Sequence, residues 1–461
     1  MTRATLSMIT VAGAIARHAT RSRAWRAGAA RLLLAFGLGA VAPSFCLAAE
    51  ESALRIPAQD DAIVEHLPTH VGDAAQRRAA IAAERAQRAQ LQEHPNELGL
   101  ALQAANDALA RGRLRGDPRE LGAAQAALAP WWTRADAPAE VRLVRATVMQ
   151  SQHFFQDALK ELDAVLAMPG VSLPVRAQAE LTRAGVQQVL GRFAEADAGC
   201  RRLAGADYYA LGTPVRLNAL ACIAELSSLQ GHADTAAATL ARLAGAPDAS
   251  SAATVAGDPA PGWLNLMRAE LAHRRGDAAA GALFAAALKA HPDVYTQCAY
   301  ADWLLDQHRP ADVVALLKGN EAADPVLLRI ALAYRQLHGR NNALTRDATT
   351  MLGDRYDAAL LRGDKSHGRE QSRYELDLRG DTRAALALAK SNWSVQHEPA
   401  DAVVLAHAAH AARRDDAAEP LWQFLRETGG RDVRLSAGGP AASPFMPASP
   451  AAAQTVSRSD Q

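Results

Sequence analysis

Residues 261–325 read PGWLNLMRAELAHRRGDAAAGALFAAALKAHPDVYTQCAYADWLLDQHRPADVVALLKGNEAADP, two tandem copies of one helix-turn-helix unit. In the first copy Leu264, Met267, Leu271, Ala280, Phe284 and Ala287 recur at helical spacing, Gly276-Asp277 breaks the pattern midway, and Pro292 closes it. The second repeats the arrangement with Tyr300, Ala301, Leu304, Val313 and Leu317 around the turn His308-Arg309-Pro310, and Pro325 closes it. The closing prolines stand roughly 33 residues apart, and self-similarity at a fixed period of that order marks a helical solenoid. Packing explains the pattern. Two amphipathic helices of about a dozen residues cannot bury their apolar faces alone, so each pair stacks on the next. Small Ala280, Ala287 and Ala301 allow close approach, and Phe284 and Tyr300 fill the remaining space. Proline is expected in the first turn of a helix, where the missing N–H has no acceptor to lose.

This alternation of large and small apolar residues ending in proline resembles the tetratricopeptide repeat. The resemblance runs over about Asp73 to Arg434 and is strongest across residues 261–325. It implies an all-α fold, a right-handed superhelical solenoid of stacked helix-turn-helix repeats. The first helix of each pair would make a concave surface that holds a peptide or protein segment. Carrying the register over places Asn265, Ala269, Ala272, Tyr295 and Asp302 at that groove, with the alanines as a shallow floor. The family's carboxylate clamp needs lysine, arginine and asparagine from successive first helices, and no such set is present.

Working outward, the chain has 461 residues, 49% hydrophobic and 21% charged, an ordinary globular balance, while aromatics at 5% favour closely packed helices over sheets. Before the first acidic residue, Glu50, lie Arg3, Arg17, Arg21, Arg23, Arg26 and Arg31 without a lysine. An apolar run from Leu32 to Ala42, then Pro43, precedes the small-residue site Cys46-Leu47-Ala48. That order reads as a secretory signal over residues 1–48, cleaved near Ala48, with an organellar transit peptide as the competing reading. The run is too short to cross a bilayer comfortably. Without the leader the net charge falls to about −5, which argues against nucleic acid as the main partner.

Residues 49–72 contain Pro57, Pro68 and Gly72 and read as an extended lead-in. From Asp73 to Glu93 a strong helix caps the array, and repeats then fill 73–247 and 261–435. Turns are expected at His153, Gly191, Gly231, Gly276, His308, Gly339, Gly380 and near Arg414, at spacings from about 31 to about 45 residues. The small-residue loop 248–260 divides the array in two. The register is weakest from Asn341 to Gly368, and residues 436–461, rich in proline, glycine, alanine and serine, read as a disordered tail.

Candidate chemistry is sparse. Cys200 and Cys222 fall on neighbouring helices and would form a disulfide in an oxidising compartment; the other reading is two small buried hydrophobes. Cys298 is left as a packing residue. His407 and His410 share a helical face, and His66 and His70 straddle Pro68, but neither pair has the further ligands a metal site needs. No nucleophile elbow, phosphate loop or paired carboxylate frame is present, so no catalytic residue, metal or cofactor is implied. Trp131 and Trp132 are adjacent and cannot both face one core, which offers one of them as an anchor for a partner; the other reading, and the favoured one, is core-plus-rim packing between repeats. The expectation is a non-catalytic exported scaffold for a protein or peptide partner in the bacterial cell envelope, with no membrane span after cleavage. The alternatives are a component of a secretion or surface-polysaccharide assembly, and an enzyme or metal carrier with an unrecognised site.

Overall fold

A computed structural model of the chain describes residues 74–245, 260–363 and 368–435, and every regular element among them is helical. The signal (1–48), the lead-in (49–72), nearly all of the loop (248–260), the tail (436–461) and the pair His66 and His70 lie outside the described residues. A leading helix α1 (Ala74–Glu93) is followed by α2 (Leu98–Arg115) paired with α3 (Arg119–Ala127), the short α4 (Ala129–Trp132), and α5 (Ala139–Ser151) paired with α6 (Phe155–Ala167). Next come α7 (Leu173–Val189) with α8 (Phe193–Leu203) and α9 (Gly212–Leu229) with α10 (Ala233–Gly245). The second series pairs α11 (Ala260–Arg275) with α12 (Ala280–Ala290), α13 (Val294–Asp306) with α14 (Pro310–Leu317), and α15 (Asp324–His338) with α16 (Ala343–Leu361). Then α17 (Gly368–Arg373), continued by a π-helical turn over Tyr374–Arg379, packs on α18 (Thr382–Trp393), and α19 (Pro399–Ala411) with α20 (Glu419–Thr428) ends the array.

Within each pair the chain reverses through one left-handed residue. His153, Gly191, Gly231, Gly276, His308, Gly339, Gly380 and Arg413 all have φ between 55° and 86°. These are the expected turns, the last one residue before Arg414. A left-handed residue after the last helical turn lets the following amide reach back to an open carbonyl, which ends the helix and redirects the chain. The prolines divide. Pro310, Pro325 and Pro399 occupy first turns as expected. Pro292 does not, because Asp293 follows it as the cap of α13, its carboxylate accepting from the Thr296 amide at 2.7 Å.

The core is a series of overlapping clusters rather than one mass. Val141, Val144 and Val148 of α5 pack on Ala101, Ala105 and Leu128, whereas Ala139 and Ala146 of the same helix pack on Phe155, Leu162 and Val175. A first helix thus contributes one face to the pair before it and another to its own pair and the next helix. Alanine permits the close approach, and Gly281 goes further, since a Cβ there would overlap the Trp303 ring.

Purely nearest-neighbour stacking was the expectation, and the structure departs from it. The His397 amide donates to the Val189 carbonyl at 2.7 Å, joining residues more than two hundred positions apart. Phe424 of α20 lies edge-on to Phe193 with centroids 5.7 Å apart, over Gly191, and Gly429 rests on Gly231. The small rotation from each pair to the next accumulates until the last pairs arrive above the turns of α7–α10. The superhelix therefore closes laterally along a seam. Gly231 (φ 86°) and Gly339 (φ 81°) share a backbone that disfavours a side chain. A Cβ on Gly231 would sit 2.8 Å from the Gly429 carbonyl oxygen, whereas Gly339 faces open space. Gly339→Ala should cost about 1 to 3 kcal/mol, and Gly231→Ala about 1 to 3 kcal/mol more. Thermal melts of the two variants check the seam, and equal losses would remove it.

Candidate functional site

The inner faces of α11, α13, α15, α17 and α19 line a cavity of about 2610 Å³. Its wall takes Glu270 and His273 from α11, Tyr295 and Asp302 from α13, Arg329 and Arg335 from α15, and Arg369 and Arg373 from α17. Helix α19 adds Val404 and His407, and Ile81, Leu114 and Phe154 come from the first repeats.

Tyr295 and Asp302 of α13 lie in the cavity wall, whereas the residues named on α11 do not. Ala269 (0% exposed) and Ala272 (5%) are buried beside Phe284 and Ala287, not laid along a groove floor. Glu270 and His273 line the cavity instead. The difference is one residue, and one residue turns the side chain by about 100° around a helix, enough to exchange the interior for the core. Asn265 is also not in the cavity wall; it is half-buried and accepts from Arg268 Nη1 at 3.1 Å. The two tryptophans pack as core and rim. Trp131 is buried, and Trp132, half-buried, packs against the same cluster. Both fit because α4 is a single turn wedged between α3 and α5 rather than a long helix with one core face.

Polar bonds tie each inner face to the next. The Tyr295 hydroxyl donates to Glu270 Oε1 at 2.9 Å, and His273 Nε2 lies 2.9 Å from Asp306 Oδ2. Asp302 accepts from Arg329 at 2.6 Å on one oxygen and from Arg373 at 2.9 Å on the other, linking α13, α15 and α17. Farther along, Arg369 donates to Glu398 at 3.0 Å, at the start of α19. Burial works against the Asp302 carboxylate, but Arg329 and Arg373 outweigh it and hold its pKa down at about 2. Cys298 also borders the cavity, and burial pushes its thiol up to about 11, so it is not an activated nucleophile.

These arginines were not singled out in the sequence. Asp302, Arg329 and Arg373 follow no common interval, and Arg373 lies just past the stretch where the repeat register is weakest. The only signal was their occurrence at non-apolar positions of first helices.

Cys200 of α8 and Cys222 of α9 are joined as a disulfide, with Cα atoms 6.1 Å apart. Closing a loop of this length contributes on the order of 3 kcal/mol. The bridge lies in the cluster of Phe193 and Leu226 that receives Phe424 at the seam. Among the described residues no group of three or more histidines, cysteines or carboxylates is gathered as a metal site, and no helix is long and apolar enough to cross a membrane.

The sequence matches no family profile and no curated protein. Among solved structures, the APC/C hetero-tetramer Cut9–Hcn1 aligns with 77% of this chain and 85% of that chain at 14% identity, with a TM-score of 0.26. So loose a superposition carries no argument, and the helical-repeat architecture rests on the helix pairing itself.

Ala269→Trp should now destabilise the fold as much as Ala287→Trp, by about 1 to 3 kcal/mol or more, because both are fully buried. A melt in which only Ala287→Trp suffers would restore the original register. For Asp302→Asn, removing the carboxylate leaves two arginines facing one another, at a cost of about 3 kcal/mol at neutral pH. Because the folded pKa is depressed, this stabilisation is complete above the unfolded value near 3.9 and is lost as pH falls toward about 2. Melting temperatures of wild type and variant should differ at pH 7 and converge near pH 2.

Proposed function

We propose that the chain is a non-catalytic, exported scaffold that holds an extended segment of a protein partner in its interior channel, within the bacterial cell envelope. The observation that carries this reading is the character of the channel wall. Ile81, Leu114, Phe154, Leu360 and Val395 are large apolar side chains left exposed, and all five border the cavity. Exposed apolar groups gathered in a concavity, rather than scattered, mark an interaction site. Between them stand arginines and carboxylates of both signs, so the wall suits a mixed polypeptide better than a polyanion.

Every basic side chain of the wall is an arginine or a histidine, and none is a lysine. Arginine's planar fork meets backbone carbonyls and carboxylates with two bonds at once, which suits a peptide held along its length. The arginine leader, apolar run and small-residue site support export, and the Cys200–Cys222 pair suits an oxidising compartment.

A photo-crosslinking residue placed at Phe154, inside the channel, should capture a polypeptide in cells that express the chain. The same residue at Tyr209, exposed and away from the channel, should not. Equal capture at both positions, or none at either, would count against the channel as the binding site. N-terminal sequencing of the envelope fraction should find the chain beginning near Ala49 rather than at Met1.

A further inference from the structure

His397 sits in the lateral seam, and the surroundings of its ring suit the neutral form. Its imidazole lies edge to face with Trp393, centroids 4.6 Å apart, and tilted against Phe424 at 4.9 Å. On the other side is Gly191, where a Cβ would come within 3.5 Å of the imidazole Cγ. Trp393 belongs to α18, Phe424 to α20 and Gly191 to the α7–α8 turn, so the ring fills the junction between the two sides of the seam. The His397 amide makes the bond to the Val189 carbonyl, which fixes ring and main chain at the same place. Nδ1 is buried and has no hydrogen-bond partner among the described residues.

A neutral imidazole can carry its proton on Nε2 and leave Nδ1 as an unused acceptor. An imidazolium cannot, because both ring nitrogens then donate and a full charge has to be held among apolar groups. The charged side chains of the surrounding elements are engaged elsewhere. Arg192, just past the α7–α8 turn, points to Gln156, Glu195 of α8 accepts from Gln187, and Lys390 of α18 is exposed. On α20 Arg426 is paired with Glu419, and Glu427 accepts from Gln423. At the start of α19 Arg369 donates to both Glu398 and Asp401, and burial pushes the Asp401 carboxyl up. Arg369, Asn392 and Gln396, which hold Asp401, all belong to the last pairs, so parting the seam leaves its surroundings as they are. His232, on the α9–α10 turn, is exposed. Burial alone therefore acts on His397, and it holds the imidazole below the ordinary histidine value of about 6.5.

We infer that His397 is a proton-operated latch on the superhelix: neutral, its ring closes the last pairs over the α7–α8 turn, and protonated, it leaves the junction and the seam opens. The sign follows from the depressed value in the closed form. Closure is favoured in full above about pH 6.5 and weakens as the pH falls toward the lower value that the buried ring has. Val395 and Glu398, on either side of the latch in sequence, border the channel, so opening the seam parts the channel wall there. The inference concerns the closure alone and holds whatever the channel carries.

Hydrogen exchange by mass spectrometry on the full chain, corrected for the intrinsic pH dependence of amide exchange, reads the latch at the His397 amide. Protection there should fall at least about threefold from about pH 7.5 to about pH 5, while α2 and α3, away from the seam, keep theirs. His397→Phe retains an aromatic ring beside Trp393 and Phe424 but takes up no proton, and its protection should be the same at both values. His397→Leu provides a second variant should phenylalanine overfill the junction. Wild-type protection that does not change with pH overturns the inference, as does a loss that persists in His397→Phe. A loss spread through α2 and α3 as well would be acid unfolding of the whole array, and would overturn it too. So would protection that rises on acidification, which would mean that the aromatic faces hold the imidazolium in place.

Discussion

Every first helix in this array has to satisfy three surroundings at once, and that constraint organises the structure. Helix α5 meets the preceding pair through Val141, Val144 and Val148 and its own pair through Ala139 and Ala146. What remains is a narrow strip facing inward. Since successive residues on a helix are turned by about 100°, the three assignments leave almost no freedom of register. The case of Ala269 shows how narrow the margin is: one position along, Glu270 is in the cavity wall, while Ala269 is sealed against Phe284 and Ala287.

Small residues make this arrangement possible and also set its curvature. Wholly buried Ala101, Ala105 and Ala124 bring the early helices close, and Gly281 admits the Trp303 ring where any side chain would collide. Close pairing with a steady rotation bends the array until its last pairs lie over the turns of α7–α10. At that seam the fit is again made by missing side chains, with Gly191 beneath Phe424 and Gly231 against Gly429. The disulfide between Cys200 and Cys222 braces the helices that receive Phe424, so the cross-link and the long-range contact strengthen one region.

The interior is polar, and its charges are mostly committed to one another. Asp302 joins three successive first helices through Arg329 and Arg373, and Arg369 continues to Glu398 on the next. Because partial burial raises the cost of any unpaired charge, these links hold the relative rotation of the repeats. The apolar side chains exposed among them, Phe154 foremost, have no such commitment within the wall.

Periodicity by itself determined the all-helical paired architecture, the positions of the turns from His153 to Gly380, and the place of Tyr295 and Asp302 on an inner face. These follow from local chemistry: the spacing of apolar residues, and glycine where a left-handed backbone is required. The exact face of α11, the fate of Trp131 and Trp132, and the meeting of Asp302 with Arg329 and Arg373 were settled only in three dimensions. The tryptophans depended on α4 being a single turn, which short irregular segments do not announce. The closure of the seam is the clearest case. It joins His397 to Val189 through a rotation summed over many repeats, and no local pattern records a sum of small angles.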